Sequence, residues 1–173
     1  MGKILTVEQF AELMPNISRG WEKESGKIQT CIDDAEEVDL FEQLGNFYFE
    51  LIAKADDEDF DNLLNGCEFE FEGVKMKHSG LRKYVAGLAY VRYLGVSNMT
   101  HTPHGYVNKL TQNSEPVSYN QIKDEKKEVQ RAASIRFKTI SNYLELNPEI
   151  FTSYNPKKSN SHSYNSLKTS TLR

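Results

Sequence analysis

"LRKYVAGLAYVRYLGV", Leu81 to Val96, decides the fold. Leu81, Tyr84, Val85, Leu88 and Val91 recur at three and four residues, the spacing of one helix face. Tyr90, Tyr93 and Leu94 make the opposite side apolar too. A helix apolar nearly all round has to be covered on all sides, by its own fold or by an interface. Gly87, in its middle, costs about 1 kcal/mol relative to Ala, which suggests a site of close packing. The remaining segments are therefore read as what wraps this helix.

Upstream, "TVEQFAELM" predicts a short helix, with Thr6 and Gln9 as a capping box and Pro15 beyond its end. Asn16 to Gly26 reads as a loop in which Trp21 should be anchored. In "KIQTCIDDAEEVDLFEQLG", Ile28, Ile32, Ala35, Val38, Phe41 and Leu44 predict one continuous helix with a single buried stripe, closed by Gly45. "NFYFELIAKA" predicts another helix, and "DDEDF" starts a short one that ends at Gly66. "CEFEFEGVKMKH", Cys67 to His78, alternates with period two on both sides of Glu72-Gly73. A two-residue turn there pairs Phe71 with Val74, Phe69 with Met76 and Cys67 with His78 on one face. The other face pairs Glu70 with Lys75 and Glu68 with Lys77. A lone hairpin is marginal in water, so its apolar face should rest on helices or on another subunit.

Downstream, Pro103, Gly105 and Pro116 argue against helix, and 98–117 reads as an extended, projecting loop. Ser118 and Gln121 form a capping box for a long helix that ends near Leu146. Its buried stripe is Val129, Ala133, Arg136 or Phe137, Ile140 and Leu144. The last 17 residues, "KKSNSHSYNSLKTSTLR", contain nine Ser, Thr or Asn, too few apolar groups to offset the entropy of ordering them alone. The expectation is a mainly α fold: a helical bundle over 1–147 with one small β-hairpin at about 67–78, a projecting loop at about 98–117, a long C-terminal helix, and an extended tail over 148–173.

Of the 173 residues, 38% are hydrophobic and 27% charged, enough for a packed core. No apolar run approaches the roughly 18 residues of a membrane span, and "MGKILTVEQF" lacks the apolar centre of a signal peptide. No membrane role is expected. Cys31 and Cys67 match no metal or redox spacing and are read as free thiols. The net charge is −4, but it is unevenly spread. Residues 1–72 hold 5 Lys and Arg against 19 Asp and Glu, a balance of −14, and residues 73–173 hold 16 against 6, a balance of +10. Opposite halves can fold together, meet neighbouring copies acidic face to basic face, or simply stay solvated.

The sharpest chemical motif is His101-Thr-Pro-His104, but a catalytic metal site takes three protein ligands and a structural one four, and no further ligand lies near in sequence. Cys67 opposite His78 has the residue types of a nucleophile pair, yet Cys67 shares a row with Phe69 and Phe71, where a thiol is inert. "DDAEE" and "DDEDFD" lack the loop glycine and terminal Glu of a calcium site. The basic residues of the long helix are interrupted by Asp124, Glu125 and Glu128, without interleaved aromatics for stacking on bases. These readings point to a chain that is not an enzyme and uses neither cofactor nor metal. The interacting residues are expected in the loop, at Tyr106, Val107, Lys109, Glu115 and Pro116, and in the tail, at Lys157, Lys158, Tyr164, Leu167, Leu172 and Arg173.

"IDDAEEVDLFEQLG", "SGLRKYVAGLAYVRYLGVSN", the extended "TPHGYVNKLTQNSEPVS" and the long helix that follows, taken together, resemble the head–tail connector (adaptor) proteins of tailed bacteriophages, in particular of crAss-like phages. The resemblance spans about Ile28 to Leu146, and His104 stands where an aromatic such as Phe is expected before Gly105. It implies a helical protein assembled as a twelve-fold ring beneath the portal protein, with genomic DNA passing through the centre and further neck or tail rings docked below. It also implies a virion protein at the head–tail junction, present in the host cytoplasm during assembly, whose loop contacts partners and whose tail wraps the portal or a neighbouring ring. The alternatives are another neck component, such as a tail-completion or stopper protein, and a phage-encoded host-directed binding module.

Overall fold

The computed structural model describes residues 3–14, 25–97, 99–102, 105–108 and 118–156. The order of elements is α1 (Val7–Leu13), α2 (Ser25–Asp34), a π-helical segment (Ala35–Leu40), α3 (Phe41–Leu44), α4 (Phe47–Ala53), α5 (Glu58–Asn65), β1 (Glu68–Phe71), β2 (Val74–Lys77), α6 (Leu81–Val96), β3 (Met99–Thr102), β4 (Gly105–Asn108) and α7 (Tyr119–Leu146). The fold is mainly helical, with the long C-terminal helix in place. Residues 16–24 of the predicted loop, Trp21 among them, and the tail residues 157–173 lie outside the described residues, whereas Ser25 and Gly26, expected in that loop, open α2.

α6 is the centre. α7 and α2 pack along it, and the π segment, α5 and α1 also touch it. Its N-terminal half is enclosed as its sequence requires: Leu81, Tyr84, Val85, Ala86, Gly87 and Ala89 are buried. Its C-terminal half is only half-buried, at Tyr90, Val91, Tyr93 and Leu94, so coverage on all sides stops about midway along the helix. The close packing expected at Gly87 is not found. A Cβ there would meet Arg136 and Val129 at 3.6 and 4.0 Å, ordinary contact distances, so the packing would tolerate Ala.

Both capping boxes form. Thr6 Oγ1 accepts from Gln9 N at 3.3 Å, and Gln9 Oε1 accepts from Thr6 N at 3.0 Å. Ser118 and Gln121 repeat the arrangement at 3.3 and 3.0 Å. α7 buries Ala133, Ile140, Tyr143 and Leu144, with Val129, Arg136 and Phe137 half-buried beside them.

The long helix expected over 27–44 is not uniform. The π segment winds more residues into a turn than an α-helix does, and this rotates everything after it. Ala35, Glu36, Leu40 and Leu44 turn inward. Val38 and Phe41, expected in the core, are 52% and 40% exposed. Glu36 is buried instead, where Oε1 accepts the Leu5 N–H at 2.8 Å and holds the strand-like entry to α1.

β1 and β2 pair antiparallel in the expected register, Glu68 with Lys77, Phe69 with Met76, Glu70 with Lys75 and Phe71 with Val74. The two-residue turn places Glu72 at φ 50° and Gly73 at φ 77°, the left-handed pair that matches strand twist. α7 covers the inner end of this hairpin, where the Phe69 ring meets Tyr143 at 5.4 Å. Val74, at the tip, is 60% exposed. Within the segment expected to be an extended loop, β3 and β4 form a second antiparallel hairpin. After α7 the chain turns back on the body rather than leaving it as a tail. Phe151 is 1% exposed, against Phe47 at 5.8 Å and Phe60 at 5.4 Å, so this residue of the expected tail is core, with Ile150 and Tyr154 packed against it.

Candidate functional site

Three surfaces gather the chemically distinctive side chains. The first lies at the base of the β1–β2 hairpin. The positive φ of Gly66 (97°) and Gly80 (82°) lets the end of α5 and the start of α6 run against each other. A Cβ on Gly66 would strike the backbone of residues 78–80, and one on Gly80 the backbone of residues 64–66. This close approach sets Cys67 beside His78. His78 N donates to the Cys67 carbonyl at 3.1 Å, and His78 Nε2 lies 3.3 Å from Cys67 Sγ. The imidazole sits against Tyr143 at 4.6 Å and Phe69 at 5.7 Å. His78 is buried, and its Nδ1 and the neighbouring Ser79 Oγ have no hydrogen-bond partner in the protein.

Burial pushes the Cys67 thiol up and the His78 imidazole down. Tyr143 is pushed up to about 12, first by burial and then by the Cys67 sulfur. Both members of the Cys–His pair are thus held neutral. A nucleophile pair needs the reverse, a thiolate beside an imidazolium. Cys67, Phe69, His78 and Tyr143 pack together at the junction between hairpin and bundle.

The second surface is a groove of about 460 Å³ between the π segment, α3, α6 and α7. Arg92 crosses one side of it. Its Nε and Nη2 grip both carboxylate oxygens of Asp39 at 2.8 Å, and Nη1 reaches Asp34 at 3.2 Å. Hydrogen bonding to Asp39 raises the guanidinium pKa further. A two-pronged Arg–carboxylate grip specifies geometry better than a single contact, and this one ties α6 to α2 and the π segment. Tyr84 lines the groove, its phenol pushed well up by burial and then by Asp39 and Glu42. The sequence reading missed Arg92. The available signal was a lone Arg in the apolar C-terminal half of α6, facing the "DDAEEVD" run.

The third surface is exposed and apolar. Phe41, Tyr48 and Phe49 form a triangle of ring contacts at 5.6 to 5.8 Å. Phe49 is 53% exposed, and Val38 and Phe41 are open beside it. Acidic side chains border it: the Tyr48 phenol is raised by burial and then by Glu36 and Glu37. α7, by contrast, presents Lys123, Lys127, Arg131, Ile135 and Lys138 to solvent. Arg131 pairs with Glu128 at 2.7 Å and Lys127 with Asp124 at 3.9 Å, pairs worth a few tenths of a kcal/mol at such exposure.

Of the residues expected to contact partners, Tyr106 and Val107 are strand residues of β4, opposite His101 and Thr100 of β3. Lys109, Glu115, Pro116 and the tail residues Lys157, Lys158, Tyr164, Leu167, Leu172 and Arg173 lie outside the described residues, as does His104. Among the described residues no three His, Cys, Asp or Glu side chains converge as metal ligands, and no helix is long and apolar enough to cross a membrane.

These features define a helical body with one hairpin built into it, a second hairpin between its two longest helices, and a strongly acidic N-terminal half. Residues 40–164 match the family model described as a family of unknown function (DUF6712), and the chain belongs to that family. The match runs from the end of the π segment through both hairpins and α7. No curated protein and no solved structure matches the chain.

Proposed function

We propose that this chain is a structural ring subunit of a tailed-phage neck, joining the portal protein to the tail components, with DNA passing through the ring. The observation that carries the reading is the division of charge. Exposed carboxylates crowd α3, α5 and the turn before α5, at Glu42, Asp56, Glu58, Asp59 and Asp61, whereas α7 exposes Lys123, Lys127, Arg131 and Lys138, interspersed with Asp124, Glu125 and Glu128. A subunit with opposite charge on different elements can meet its neighbour head to tail, and such heterologous contacts close into rings when the rotation permits. Acidic surface left facing the channel would repel phosphates and let DNA slide without sticking. The β3–β4 hairpin, with Tyr106 and Val107, and the polar tail then supply contacts to the portal and to adjacent rings. The resemblance of the α6–β4 stretch to connector proteins supports the same reading.

The test is assembly. Light scattering of the purified chain, alone and with the portal protein of the same phage, should show a ring-sized mass, and images of the particle neck should show density for it beneath the portal. A chain that stays monomeric and ignores the portal overturns the reading. Absence from purified virions favours the host-directed module, and a position lower in the neck favours a stopper or completion protein.

A further inference from the structure

We propose that in the free subunit the acidic-rimmed aromatic patch of Val38, Phe41 and Phe49 is the docking surface for this chain's own C-terminal segment, 157–173. This holds whether or not the subunit goes on to build a ring. Three observations meet here. First, the patch is a consequence of the π segment, which rotates Val38 and Phe41 out of the core until they stand 52% and 40% exposed next to Phe49 at 53%. Clustered exposed apolar groups with a polar rim mark a contact surface, and no described element covers these three.

Second, the chain ends its described course against α4, the helix that carries Phe49. Ser153 N donates to Glu50 Oε2 at 3.0 Å, one residue from Phe49. The Tyr154 ring meets Phe47, on the buried face of the same helix, at 5.6 Å. The 17 residues after Pro156 reach up to roughly 55 Å if extended, far more than is needed to fold back over α4 and the π segment. Third, the chemistry is complementary. Residues 157–173 carry Lys157, Lys158, Lys168 and Arg173 with no acidic residue, and they hold Tyr164 and Leu167 as apolar anchors. The receiving side offers three exposed apolar groups in a half of the chain with a balance of −14. Attraction between the charges raises the local concentration of the segment, and a covalent link at Pro156 spares it the entropy of bimolecular association.

The experiment places photoreactive p-benzoylphenylalanine at Tyr164 of the full chain and maps the crosslinks by mass spectrometry, in an equal mixture of ¹⁴N- and ¹⁵N-labelled protein. Crosslinks to 37–50 within chains of a single isotope are expected. Phe41→Ser with Phe49→Ser, both surface changes, should reduce them about tenfold, since loss of a buried ring contact exceeds the roughly 1.4 kcal/mol behind such a factor. Lys157→Glu with Lys158→Glu should reduce them as well, with the helical circular dichroism unchanged. Crosslinks that join the two isotopes, fall elsewhere on the body, survive both sets of substitutions or do not form at all would each overturn the proposal.

Discussion

Single residues fix the junction between hairpin and bundle. Gly66 and Gly80 are needed twice over, for positive φ and because each packs against the backbone around the other. Ala at either site combines the left-handed penalty with a backbone clash, for a loss of about 2–4 kcal/mol. Gly73 is the control: its φ is 77° but nothing lies within 4 Å of a Cβ there, so Gly73→Ala should cost only about 1 kcal/mol. Urea unfolding of the three variants should rank them in that order, and equal losses would mean that conformation alone matters. His78 gives the junction a pH dependence. Burial lowers its pKa below the ordinary 6.5, so the unfolded chain takes up a proton that the folded chain resists. Stability is therefore full above about pH 6.5 and falls as the pH drops toward the folded-state value. The adjacent Cys67 thiol, raised by burial, stays neutral throughout this window. The difference in unfolding free energy between the wild type and His78→Leu, followed from pH 7.5 to 5.5, should shift against the wild type as the pH falls. A difference that stays constant would show that His78 does not titrate in this way.

Elements were legible in the sequence where one local rule decides them. The capping boxes at Thr6 and Ser118, the β1–β2 register and the apolar stripe of α7 each depend on residues a few positions apart, and all four stand as read. Ser118→Ala should thus cost about 1 kcal/mol, or roughly 2–4 °C in Tm for a chain of this size. An unchanged Tm would mean that the start of α7 frays without consequence. The π segment was illegible because the reading assumed 3.6 residues per turn through Leu44. One wide turn is enough to exchange Val38 and Phe41 for Glu36 and Leu40 in the core, and only the tertiary demand to satisfy Leu5 and to bring Asp39 to Arg92 gives it a reason. The second hairpin was hidden for a related cause. Pro103 and Gly105 spoke correctly against helix, but "MTHTPHGYVN" shows no hydrophobic alternation to announce strands. Phe151 escaped notice because a single aromatic after Asn147-Pro148 carries no periodicity, although its ring completes the cluster with Phe47 and Phe60.

At the scale of the whole molecule, what distinguishes this chain is the contrast between a well-filled core and a surface whose charge is unevenly sorted, acidic over residues 1–72 and mixed but net basic on α7. Sorting of this kind adds little to the stability of one subunit, because exposed pairs are worth so little. It acts instead on encounters between molecules, where complementary patches steer approach and fix orientation. If copies meet acidic elements to basic α7, their association must weaken with salt. Going from about 0.1 M to about 1 M shortens the screening length from about 10 Å to about 3 Å. Analytical ultracentrifugation should then show the assembled mass falling toward that of the monomer. Lys127→Glu with Arg131→Glu should produce the same dissociation at low salt. Mixing that variant with a second one, Asp56→Lys with Asp59→Lys, should restore assembly, since each supplies the charge the other has lost. Dissociation without such rescue would mean that α7 meets a different surface. Assembly that ignores both salt and charge reversal would point to an apolar contact, for which the half-buried Tyr90, Tyr93 and Leu94 side of α6 is the natural place.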